Sequence, residues 1–197
     1  MKVDGIVLEE ATRHFDLHGC KIHHGLGGSM KQLVALEATL ERVDGDDFAS
    51  LPGRIAFQKR IYLVQVAGVD LGYRFSWNQY GPYSPDLAQD RVRLEARRDD
   101  IRESLEQLRM RKGIEAALDE VKGLIQKPKA TALTDAEWLE LLSSLHYLSQ
   151  TKHTRSEGKE EQLEQDLVTR KPHLKIGAED LDEAWQRLRS LESLSNS

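Results

Sequence analysis

The residues whose types could do chemistry crowd the start of the chain. His14, His18, Cys20, His23 and His24 share one short stretch, and imidazole and thiolate are the ligands zinc prefers. The spacing contains neither a CxxC nor an HxxxH–CxxC frame, so it reads as a His-rich terminus, and no metal or cofactor is expected. Asp44-Gly45-Asp46-Asp47 sets three carboxylates together. A calcium loop needs alternating ligands and a distal Glu at fixed offset; both are missing, which leaves a solvated turn. Ser84 and His146 are a nucleophile and a base by type. Ser84 precedes Pro85 and is better explained as a helix cap. His146 lies beside an apolar stripe and is given no role. GxGxxG, P-loop, GxSxG and HExxH motifs are absent from the sequence, as is a clustered acid pair. Gly68, Gly72 and Gly81 stand too far apart to cradle a phosphate. The weight shifts from an enzyme to a binding protein, with no catalytic residue expected.

Charge offers two surfaces. On a wheel of about 100° per residue, Arg91, Arg98, Arg102 and Arg109 form a stripe about 40° wide. It could contact phosphate or an acidic partner, or its stems could cover the core rim while the heads pair with Glu95, Asp99 and Glu106. Glu157, Glu160, Glu161, Glu164 and Asp166 form an acidic counterpart, fit for a basic partner or merely solvated. The net charge of −5 argues against broad, sequence-independent DNA binding and suits an acidic contact surface.

Periodicity supplies the elements that must position these residues. Lys31–Val43 carries Leu33, Leu36, Leu40 and Val43 at helical spacing. Past Ser50-Leu51-Pro52-Gly53, Arg54–Ala67 reads as a mostly buried helix with a narrow polar edge of Gln58, Lys59, Arg60 and Gln65. Tyr73–Trp77 is aromatic and β-prone, so a short strand is expected there, followed by a turn over Asn78–Tyr83. Gly81 accepts a positive φ and Pro82 fixes the next one. One helix is expected from Pro85 to about Lys112, then others over Ile114–Ile125, from the Thr134…Glu137 capping box through Leu148, over Lys159–Thr169 and over Ala178–Leu194. At 197 residues with 39% apolar and 31% charged, this is one core of ordinary composition. The expected organisation is an N-terminal extension or upstream start over 1–29, a single domain over 30–194, and a frayed tail over 195–197. A signal peptide and a membrane-length apolar run are both missing, and one Cys suits a reducing compartment, so a cytoplasmic address is expected.

The fold class that follows is mostly α (α+β): a helical bundle with a short β element, compatible in element order with a winged-helix-like core. Three segments extend the reading. Gln58–Gly68 (QKRIYLVQVAG), Gly72–Trp77 (GYRFSW) and above all Tyr80–Asp90 (YGPYSPDLAQD) resemble the YwgA-like family of small bacterial proteins. Arg170-Lys171-Pro172-His173 before the last helix is similar to the tail of that family. The C-terminal domain of DarG antitoxins carries a similar segment, and SocA-like (Panacea) domains a more distant one. The likeness is specific over about 35 residues and covers nothing in Met1–Ser29. It implies a non-enzymatic, protein-binding regulator of toxin–antitoxin or antiphage defence type, because the DarG domain restrains a DNA-modifying toxin partly by occupying its DNA site. The DarG hydrolase activity belongs to a macrodomain that this chain lacks. Only the turn residues Tyr80, Gly81, Pro82 and Tyr83 are carried over, as partner contacts or as a structural turn. A winged-helix-like DNA-binding regulator using the arginine stripe, and a subunit of a nucleic-acid-processing defence enzyme, are the alternatives.

Overall fold

A computed structural model describes residues 6–10, 13–15, 30–45, 47–106, 108–151 and 159–195. The chain is mostly helical with small antiparallel sheets, as the apolar periodicity implied. Its centre is the pair α2 (Leu51–Val66) and α6 (Asp135–Thr151), the two helices most extensively packed on each other. Both begin at sequence-encoded caps. Ser50 Oγ accepts from Gly53 N–H at 3.0 Å. Thr134 Oγ1 accepts from Glu137 N–H while the Glu137 carboxylate accepts from Thr134 N–H, a reciprocal capping box. These bonds hold the Glu137 carboxyl below its usual range.

Phe57, Ile61, Leu63 and Val64 of α2 meet Trp138, Leu141, Leu142 and Leu145 of α6 in one continuous core. The other helices enclose it. α1 (Met30–Arg42) packs against α3 (Pro85–Ala96), α4 (Arg98–Glu106) and α5 (Lys112–Ile125), while α7 (Lys159–Arg170) and α8 (Ala178–Leu194) pack on α6. Among the described residues, two small sheets complete the fold. In the first, β1 (Ile6–Glu10) lies between β2 (Arg13–Phe15) and β5 (Leu108–Met110), all antiparallel. The second is the hairpin of β3 (Ser76–Asn78) and β4 (Gly81–Tyr83), with Trp77 opposite Pro82.

Three expectations change. The strand lies at Ser76–Asn78, and its partner is Gly81–Tyr83, inside the stretch read as a turn. The helix from Pro85 stops at Ala96, restarts at Arg98 and ends at Glu106. Arg93 near the end of α3 and Asp99–Asp100 in the first turn of α4 suit a helix end and a helix start; a hydrophobic wheel does not register that. Leu108–Met110 then leaves the helix to pair with Ile6–Leu8, a long-range partnership invisible to local periodicity. The helix, helix, β element, helix order is present, and the helix ahead of the hairpin is mostly buried. Among the described residues, no helix is long and apolar enough to cross a membrane.

Candidate functional site

The polar edge of α2 is not an edge. Gln58 and Lys59 are 5% and 1% exposed, and they serve as backbone surrogates for the chain that follows. Gln58 Nε2 donates to Ser84 O at 3.1 Å while its Oε1 accepts from Ser84 N–H at 2.9 Å. Two turns later, Gln65 clamps Tyr73 the same way, with both bonds at 2.9 Å. Seven residues apart, the two amides share a helix face, so the segment between Tyr73 and Ser84 is tied down at both ends. Ser84 also caps α3 through Leu87 N–H. The Tyr73 hydroxyl donates to Asp90 Oδ2 at 2.9 Å; burial first, then the Asp90 charge, keeps it protonated well above the usual phenol range.

Between those clamps sits the hairpin tip, which stands over a buried ionic cluster. Lys59 Nζ donates to Pro82 O at 2.6 Å. Lys171 Nζ donates to Gln79 O, pairs with Glu140 Oε1 at 2.8 Å and stands 5.0 Å from the centre of the Trp77 ring. His173 Nε2 lies 3.1 Å from the same Glu140 oxygen, and Tyr80 packs edge-on against the His173 ring. Gly81 has φ +87° and turns its Cα towards α6, where an added Cβ would collide with Ser144 Oγ. That glycine is required both by its dihedral and by the close approach. Ser144 Oγ itself is buried without a hydrogen-bond partner among the described residues.

Burial dominates the electrostatics here. It lowers the Lys59 ammonium to a pKa of about 7, against the opposing pull of Glu140, with the Lys171 charge a smaller influence in the same direction as burial. Burial also lowers Lys171, again against the pull of Glu140. A depressed lysine is often a reactive one. Lys59 Nζ, however, is enclosed and engaged with main chain, so the described geometry makes it a clamp. A second buried chain runs Tyr62–His146–Glu192, with Tyr62 Oη 2.7 Å from His146 Nδ1 and His146 Nε2 3.5 Å from Glu192. Burial raises the Tyr62 hydroxyl, the opposite of activation.

The predicted site residues fare differently. Gly81 and Pro82 are buried, and Tyr80 and Tyr83 are half-buried. The YGPY turn therefore has a fully structural centre and partly open flanks. The four arginines are spread over three elements. Arg91 on α3 is paired with Glu95 at 3.0 Å, Arg98 and Arg102 lie exposed on α4, and Arg109 lies exposed on β5. The expected single stripe depended on one continuous helix and breaks with it. Of the acidic set, Glu157 lies outside the described residues. Glu160 is exposed, 3.7 Å from Arg189. Glu164 accepts from Trp185 Nε1 at 2.8 Å, and Asp166 pairs with Arg170. Glu161 is exposed. Glu161 and Glu164 line an open groove of about 550 Å³ between α7 and α8, with Gln165, Val168, Thr169 and Leu181. Val168 there is 46% exposed.

Among the described residues, no group of three or more His, Cys, Asp or Glu could hold a metal ion. Of the His-rich stretch, His14 falls on β2; His18, Cys20, His23 and His24 lie outside the described residues. Lys59, Glu140, Lys171 and His173 were not singled out as a site. Glu140, a carboxylate between Leu139 and Leu141 on the apolar side of α6, was the available signal; Lys59 stood in a polar edge beside Gln58 and Arg60 and gave none. Tyr80–Asp90 and Arg170–His173, two of the four stretches singled out in the sequence, meet in this cluster through Tyr80 and His173. No family model, curated protein or solved structure matches the chain.

Proposed function

We propose that the protein is a non-enzymatic, protein-binding regulator of antitoxin type, acting in bacterial toxin–antitoxin or antiphage defence. Its contact is the α7–α8 face, and its partner is a nucleic-acid-acting enzyme with a basic binding site. The observation that carries this reading is the groove, where Val168 and Leu181 form an apolar floor beside Glu161 and Glu164. An exposed apolar floor with an acidic rim complements a basic, amphipathic segment. The first turns of α8 extend the same sign with Glu179, Asp180, Asp182 and Glu183. The resemblance of Gln58–Gly68, Gly72–Trp77 and Tyr80–Asp90 to YwgA-like proteins supports the class of partner. The hairpin is then the frame of the domain rather than its contact.

The test is affinity capture from the native host, run in parallel with a Glu161→Lys/Val168→Lys variant. Both positions are exposed, and Glu164 is left to hold Trp185. The expected result is one stoichiometric nucleic-acid-acting enzyme, retained by the wild type at low salt, released at high salt, and lost by the variant. Equal retention by the variant would move the contact elsewhere. Recovery of DNA with no protein partner would replace the reading with the DNA-binding alternative.

A further inference from the structure

A second pocket, of about 200 Å³, shares no lining residue with the α7–α8 groove. Its charged lining is Asp44 after α1, Arg60 on α2, Lys122 on α5, Lys127 in the α5–α6 link and Asp135 at the start of α6. Val43, Ile125 and Leu139, all buried, supply the apolar lining. Three cations thus face two carboxylates. Lys122 pairs with Asp44 at 2.7 Å, and Asp135 lies in the first turn of α6, where a carboxylate suits the helix dipole. The remaining cations have no such explanation. Lysines near a helix end commonly bind its last carbonyls, but other groups take those carbonyls here. Arg187 of α8 donates to the carbonyls of Gly123, Leu124 and Gln126 at the end of α5. At the end of α1, Val43 N–H and Gly45 N–H donate to Thr39 O and Leu40 O at 3.1 and 2.9 Å. Lys127 is half-buried, with no hydrogen-bond or ion-pair partner among the described residues. Asp44 holds φ +54°, just past a helix end, where glycine is the usual residue; an acid kept there fixes Lys122 at the pocket.

We propose that this pocket binds a small organic carboxylate, with its oxygens on Lys127 and Arg60 and its hydrocarbon body against Val43, Ile125 and Leu139. Three cations less two carboxylates leave the lining one positive charge, which one carboxylate balances. A phosphate dianion would leave an excess of negative charge beside Asp44 and Asp135. Arg60 carries a planar fork that takes a carboxylate through two parallel bonds, and Lys127 a point charge. Size narrows the class further. The volume is that of about seven waters, at about 30 Å³ each. It falls below the roughly 300 Å³ at which pockets for drug-sized ligands begin. A nucleotide is too large for it, whereas an acid of about six carbons fits.

The test is a hexanoate titration of the isotope-labelled full chain, followed through its backbone amide resonances. Hexanamide is the uncharged control and inorganic phosphate the rival anion. Hexanoate should shift the amides of Asp44, Ile125 and Lys127 to saturation, with a Kd on the order of 1 mM for so small a ligand. Hexanamide and phosphate should each bind at least about tenfold more weakly. Lys127→Met changes a half-buried, unpartnered side chain. It should keep the core resonances in place and raise the hexanoate Kd about tenfold. The amides of α7 should not move. Shifts that do not saturate, equal binding of hexanamide, tighter binding of phosphate, or an unchanged Kd in Lys127→Met would each overturn the proposal. Should that variant not fold, the three probes on the wild type decide alone.

Discussion

Beneath the β3–β4 hairpin, Lys59, Lys171 and Glu140 are enclosed, and the two lysines also bind main-chain carbonyls. Along α7 and α8 a larger set of charges lies in or near solvent, in i,i+4 pairs such as Asp166–Arg170 and Glu183–Arg187, or left open as at Glu161. The two regions are joined directly, since α7 ends at Arg170 and the link begins at Lys171. Their chemistry differs because their surroundings do. An enclosed charge is costly unless its geometry is fixed, so each member of the first region fixes its neighbours. An exposed charge costs little and fixes little, so the second region is free to meet something else. The first region can therefore be read as frame and the second as contact.

That contrast can be broken at its strongest point. Glu140→Gln leaves two buried lysines without a carboxylate. Removing one partner of a buried pair costs about 3–5 kcal/mol, and chemical denaturation should show a loss of that size. A loss below about 1 kcal/mol, the scale of an exposed pair, would erase the contrast. Next in size is the response to pH. Because Lys59 is lowered to about 7 from 10.5, its part of the stability is complete above the unfolded value and is lost as pH falls to the folded one. The unfolding free energy from urea titrations should rise between those values, by a few kcal/mol in total, and Lys59→Met should flatten that rise.

Gly81→Ala sharpens the picture at the hairpin itself. The residue has a positive φ and its new Cβ meets Ser144, so a loss of about 1–3 kcal/mol is expected. Adding Ser144→Ala should restore part of it, because only the collision is relieved and not the dihedral. Thermal unfolding of the single and double variants separates the two. Smaller again, Ser84→Ala removes the cap of α3 and should cost about 1 kcal/mol.

The sequence made the helices and the core legible because apolar residues at helical spacing have few other uses. Ala178–Leu194 was bounded correctly, and the Thr134–Glu137 box opened α6 as its chemistry requires. The YGPY turn was visible, since Gly-Pro beside two tyrosines states its own geometry. What holds it was not. Lys59 lay in a polar edge on the wheel, and Lys171 and Glu140 lie far from it in sequence, so their meeting depends on packing that periodicity does not encode. The arginine stripe failed for a related reason. It assumed that an unbroken apolar pattern means an unbroken helix, whereas Leu94 and Ile101 are both buried from two separate helices. The α7–α8 groove was only half legible: its acids were read from α7 alone, and its apolar floor draws Leu181 from α8.

The assignment of frame and contact rests most directly on thermal unfolding of Lys171→Met beside Glu161→Lys/Val168→Lys. Lys171→Met removes the bonds to Gln79 and Glu140, and should lower Tm by about 6 °C or more, given about 2–4 °C per kcal/mol for a chain of this size. The surface variant should unfold within about 2 °C of the wild type. Equal losses in the two, or a large loss in the surface variant alone, would contradict the account.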